Sequence, residues 1–172
     1  MSGMFSDCTK LKFIDLSKFN TSSVKDMENM FLNCESLISL NLSNFDTSSV
    51  IIMQSMFGNC NQLIYLDLSN FNISNVNNTF QMFSFCISLN ALNFKNLIQS
   101  SPLNIETQQM FSQTYQNLIY CIYNESRISQ NLKTAFTNQN FKNNCSDICF
   151  INSKKIIINE KRCVIKFSKN KI

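Results

Sequence analysis

From residue 4 onward the apolar positions follow one pattern that restarts every 26 residues. Met-Phe-x-x-Cys occurs as Met4-Phe5…Cys8, Met30-Phe31…Cys34, Met56-Phe57…Cys60 and Met82-Phe83…Cys86. Leu11, Leu37, Leu63 and Leu89 keep the same register, as do Ile14, Leu40, Leu66 and Leu92, then Leu16, Leu42, Leu68 and Phe94. A weaker fifth copy, Met110-Phe111 with Leu118 and Tyr120, arrives two residues late, after the stretch Gln99-Ser100-Ser101-Pro102. Self-similarity at this spacing marks a repeat architecture, in which a single unit cannot bury its apolar stripe and stacked units share one core.

Two periods alternate inside a unit. Val50, Met53, Met56, Phe57 and Cys60 are spaced three, three, one and three apart, which predicts one face of an α-helix of about three turns. Thr47, Ser48 and Ser49 precede it as candidate caps. Leu66 and Leu68 then alternate with Tyr65, Asp67 and Ser69, a short half-buried strand. A helix and a strand carrying Leu-x-x-Leu-x-Leu define a leucine-rich-repeat unit. The fold class expected is an α/β solenoid: a right-handed superhelix of 26-residue helix-strand units with a parallel sheet, closed by a small α+β cap. Residues 1–120 form the solenoid, with units near 4–29, 30–55, 56–81 and 82–109 and a degenerate 110–120; residues 121–172 form the cap. In the cap the pattern predicts a short helix around Gln130–Phe136, then strands at Cys149–Asn152, Lys155–Ile158 and Cys163–Phe167, the last two joined by Asn159–Arg162 as a hairpin turn.

Phe45-Asp46-Thr47-Ser48-Ser49-Val50…Met53…Met56-Phe57…Cys60…Leu63, with Leu40-Asn41-Leu42-Ser43 before it, resembles the BspA-type leucine-rich repeats. More closely, it resembles the subgroup called Mycoplasma-type surface lipoprotein repeats. The resemblance covers residues 4–97 and fades over 98–120. It implies a parallel solenoid at a cell surface, an adhesion or binding role, and no enzyme activity.

Composition narrows the chemistry. Charged residues are 15% of the 172, and there is no histidine, no tryptophan, one proline and two glycines. A chain without histidine lacks the usual general base near neutral pH and the commonest metal ligand. Two isolated glycines, Gly3 and Gly58, make no phosphate-cradling loop. No cofactor or metal is expected, and no enzyme. The net charge of +4 divides unevenly: residues 1–120 carry five lysines against eight acids (−3), residues 121–172 ten basic groups against three acids (+7). The basic residues Lys154, Lys155, Lys161, Arg162, Lys166, Lys169 and Lys171 are read as a solvated cap face with edge-protecting lysines, and no nucleic-acid partner is expected.

The eight cysteines form two groups. Cys8, Cys34, Cys60 and Cys86 occupy one repeat column, a ladder of small buried thiols. Cys121, Cys145, Cys149 and Cys163 lie outside the repeat. Two disulfides are expected there, with a four-thiolate zinc site and free thiols as rivals.

Functional expectation rests on the outward strand positions: Phe13, Asp15, Ser17; Ser39, Asn41, Ser43; Tyr65, Asp67, Ser69; Ala91, Asn93, Lys95. Extended faces of this kind are what solenoids use for recognition. The candidate ligand residues are Phe13, Asp15, Ser39, Asn41, Tyr65, Asp67, Asn93 and Lys95, facing a protein or a glycan. The protein is read as a cell-surface or extracellular recognition module with no transmembrane segment, part of a longer chain. The alternative is an intracellular scaffold with every cysteine reduced.

Overall fold

The computed structural model describes residues 1–95, 97, 105–122, 128–139 and 141–143, with the backbone alone of 156–159 and 162–165. Its strand segments are short. β1 (Tyr65–Asp67), β2 (Ala91–Asn93), β3 (Ile119–Cys121) and β4 (Lys142–Asn143) pair in that order as one parallel sheet. Leu66 stands opposite Leu92, and Leu92 opposite Tyr120, so the neighbours are the same position of successive units. Bridges Asp26↔Ile52↔Asn78↔Glu106 tie the units along a second line.

The third line corrects the expectation of a helix at Val50–Cys60. That stretch is a run of turns. The N–H groups of Met53, Ser55, Phe57 and Asn59 donate to the carbonyls of Asn78, Phe80, Met82 and Ser84 of the next unit, at 2.9, 2.9, 3.0 and 2.8 Å. Between them, the N–H groups of Met56, Gly58 and Cys60 close tight turns onto Met53, Ser55 and Phe57, three residues back. The turns need backbone a helix cannot hold: Ser55 (φ 50°) and Asn59 (φ 57°) are left-handed, which breaks a right-handed helix and suits the third position of a type II turn. Two columns repeat this, Gly3/Asn29/Ser55/Gln81/Gln109 and Asp7/Asn33/Asn59/Phe85/Gln113, all at positive φ. The apolar spacing of three reflects turns closing at three residues. Thr47 does not cap a helix either: its hydroxyl donates to the Asn72 carbonyl at 3.0 Å and accepts the Asn72 N–H at 2.8 Å, joining two units.

The core runs the length of the stack. Phe5, Phe31, Phe57, Phe83 and Phe111 form a column of stacked rings with centroids 5.4, 5.8, 5.6 and 5.3 Å apart. The one helix among the described residues, α1 (Gln130–Thr137), falls where the sequence places it. Ser129 caps it, its hydroxyl accepting the Leu132 N–H at 3.3 Å. Leu132 and Phe136 are buried, and Phe136 lies 4.2 Å from the Tyr120 ring and 5.1 Å from Phe111, covering the last unit. β5 (Ile156–Asn159) and β6 (Arg162–Ile165) pair antiparallel. The expected strand Cys149–Asn152 and the basic cluster's side chains lie outside the described residues.

Candidate functional site

The strand-face column Asp15/Asn41/Asp67/Asn93 has a local job in every unit. Each side-chain oxygen accepts the N–H two residues on: Asp15 from Ser17 (2.9 Å), Asn41 from Ser43 (3.0 Å), Asp67 from Ser69 (2.9 Å), Asn93 from Lys95 (3.0 Å). Aspartate and asparagine fill the column because this turn mimics a backbone turn with a side chain. The Ser17 N–H, and then its hydroxyl, hold the Asp15 carboxyl below its ordinary value.

The face is uneven along the stack. Phe13 (58% exposed), Asp15, Ser17, Asn41 and Ser43 are open, and Ser39 is half-buried. Tyr65, Ala91 and Asn93 are buried, while Asp67, Ser69 and Lys95 are half-buried. The Tyr65 hydroxyl donates to Asp67 Oδ2 at 3.2 Å, and Asn93 Nδ2 donates to Asp67 Oδ1 at 3.1 Å. Burial, and then the Asp67 charge, push the Tyr65 hydroxyl well above its ordinary value. The structure therefore separates the eight candidate ligand residues. Phe13, Asp15 and Asn41 face solvent; Tyr65, Asp67 and Asn93 form an internal network with no free polar edge on Asp67 Oδ1.

The cysteine column is a set of free thiols, and three of them donate hydrogen bonds. Cys34, Cys60 and Cys86 are buried, and their Sγ atoms reach the carbonyls of Phe5 (3.1 Å), Phe31 (3.3 Å) and Phe57 (3.0 Å) in the preceding unit. Burial raises all three thiols, Cys34 to about 11 and Cys86 to about 12. They stay protonated at neutral pH, and the thiolate, not the thiol, is the nucleophile. In the fifth unit Thr114 takes the cysteine's place, its hydroxyl 2.7 Å from the Phe83 carbonyl. Sequence reading missed this equivalence because the two-residue slack shifts the column. Cys8 is free and exposed. Cys121 is buried in β3 and is not one of the free thiols; Cys145, Cys149 and the Cys163 side chain lie outside the described residues.

An apolar void of about 20 Å³ lies among Met53, Leu68, Phe71, Met82, Phe94 and Met110. It is the size of one water and takes no organic ligand. Among the described residues no helix is long and apolar enough to cross a membrane.

The described residues form a small parallel four-stranded sheet with one helix, an α/β arrangement in which the 26-residue columns lie in register. Residues 1–120 match the family model "Mycoplasma protein of unknown function, DUF285", and the chain belongs to that family. Comparison with curated proteins and with solved structures gives no match.

Proposed function

We propose that the chain is a leucine-rich-repeat solenoid of the BspA type, serving as a non-enzymatic recognition module of a cell-surface or extracellular protein. The observation that supports the reading is the register between units: the same position of successive units lies side by side in the sheet of the third to fifth units, and the Ile38 N–H donates to the Lys12 carbonyl at 3.2 Å in the same register between the first two. The ligand is a protein or glycan, and it meets the open part of the strip, at Phe13, Asp15, Asn41 and half-buried Ser39. Tyr65, Asp67 and Asn93, further along the same column, are tied to one another by hydrogen bonds. Protonated buried thiols and carboxylates committed to turns support a role without catalysis.

Disulfides in the segment after residue 120 belong to the same reading. Cys121 stands apart from the free set, and a bridged segment fits an oxidising compartment. The second reading, an intracellular scaffold, requires every cysteine reduced, and the free ladder cysteines fit both readings.

The test is binding of the purified protein to a glycan array and a panel of extracellular matrix proteins. Phe13→Ala, which removes the exposed ring and no turn-forming oxygen, is expected to abolish the signal while leaving the circular-dichroism spectrum and melting unchanged. Undiminished binding by that variant removes the strip as the site. Alkylation without reductant followed by mass spectrometry separates the two compartments: label on Cys121, Cys145, Cys149 and Cys163 favours the scaffold.

A further inference from the structure

A second surface stands on the turn side of the fourth and fifth units. In the first three units the two outward turn columns are polar: Asp7, Asn33 and Asn59 in one, Thr9, Glu35 and Asn61 in the other. The fourth unit replaces them with Phe85 and Ile87, and the fifth places Tyr115 beside Ile87 in the stack. All three are exposed, at 47%, 56% and 39%. The register fixes their proximity: Phe85 N–H bonds the Ser112 carbonyl at 2.7 Å, so the two turns are adjacent rungs.

Phe85 is also held at φ 59°. A bulky residue in left-handed backbone is strained. Asparagine and aspartate take that conformation at little cost, and they occupy the column in the first three units. The chain thus keeps an exposed aromatic ring where its own repeat offers a polar residue that suits the backbone better. Exposed apolar clusters of this kind mark interaction surfaces.

The surroundings say what fits. Between Val50 and Ile122 the only charged residues are Asp67, Lys95 and Glu106, and these lie on the strand face and the Asp26–Glu106 bridge line. Among the described residues the adjoining turn positions carry amides, Asn59 and Asn61 in the third unit and Gln113 in the fifth. An amide carries both donor and acceptor, so an amide rim around an apolar centre complements a copy of itself. A charged rim would repel its copy. The uncharged turns of the third to fifth units let two molecules meet there without like-charge repulsion between them. We propose that Phe85, Ile87 and Tyr115 form an isologous interface that joins two copies of this chain in a twofold dimer. The inference does not depend on the ligand strip, which is built from other residues.

Sedimentation velocity across a dilution series tests it, with Phe85→Asn as the principal variant. The wild type is expected to pass from dimer to monomer on dilution. Phe85→Asn is expected to weaken the dimer by about tenfold or more while raising the melting temperature, because strain is relieved. The opposite signs separate lost contact from lost fold. Tyr115→Ser weakens the dimer too, whereas Ile51→Ser, an exposed apolar residue on another line of the unit (37%), leaves it unchanged. A wild type that stays monomeric throughout overturns the proposal, as does a Phe85→Asn protein that dimerises like the wild type. Binding of neutral oligosaccharides by a monomeric wild type through Phe85 overturns it as well.

Discussion

Truncating Phe57 to alanine strikes the aromatic column at its centre. The side chain is fully buried and lies between Phe31 at 5.8 Å and Phe83 at 5.6 Å, with ring planes within 2° and 7° of parallel. A buried phenylalanine cut to alanine costs about 3–5 kcal/mol. Each stacked pair adds roughly 0.5–1.5 kcal/mol beyond its buried area. With rings on both sides, Phe57→Ala belongs near the top of that range, at about 5 kcal/mol. Phe5 stacks on Phe31 at 5.4 Å, lies tilted to Phe19 at 6.0 Å, and is half-buried. Phe5→Ala should cost about half as much, roughly 2 kcal/mol. Urea unfolding followed by circular dichroism measures both. A domain of ordinary size has about 5–15 kcal/mol in total, so Phe57→Ala lowers the midpoint by about 2 M at a typical slope. If Phe57→Ala costs no more than Phe5→Ala, the column is not a continuous stack and the reasoning fails.

Three further outcomes follow from the same structure. Cys60→Thr keeps a donor to the Phe31 carbonyl, as Thr114 does to Phe83, and Cys60→Val removes it at nearly the same volume. Thermal melts should place the valine variant about 1 kcal/mol below the threonine one, and equal stabilities would show that the bond contributes nothing. The thiols of Cys34 and Cys86 lie above the ordinary value of 9.0, at about 11 and about 12. The folded state therefore holds their protons more tightly than the unfolded chain. That stability is complete below pH 9 and is lost as pH rises toward those values; melting temperatures from pH 8 to 11 should fall, and less so in a Cys34→Ser, Cys86→Ser protein. Finally, the Ser84 hydroxyl is buried without a partner, so Ser84→Ala should stabilise by about 1 kcal/mol in denaturant titration.

Much of the architecture is legible in the residues. The 26-residue period places Leu66, Leu92 and Tyr120 opposite one another, and the sheet pairs them so. The Ser129 cap and the Leu132–Phe136 spacing announce α1. The turn region is where periodicity misleads. Overlapping turns closed by bonds to the third residue back give Val50, Met53, Met56 and Cys60 a helix-like spacing without helical backbone. The clue was the asparagine column, since Asn33 and Asn59 suit left-handed turns and are poor helix formers. Side-chain ladders deepen it: Asn59 Nδ2 donates to Asn33 Oδ1 at 2.6 Å, and Asn33 Nδ2 to Asp7 Oδ1 at 2.7 Å. On the strand face, alternation identifies which residues point outward. It is blind to what lies over them, which is why Tyr65 and Asn93 read as open and are buried.

The central claim is that the units are joined by backbone bonds along the turn line. Amide hydrogen exchange measured residue by residue tests it most directly. The N–H groups of Met53, Ser55, Phe57 and Asn59 are bonded to the next unit, and they should exchange slowly and together, because opening any of them means parting two units. The Gln54 N–H makes no backbone bond among those described and should exchange fast between two slow neighbours. Uniform protection through Met53–Cys60, with Gln54 as slow as Met53 and Ser55, is the pattern of a helix bonded within itself and would contradict the account.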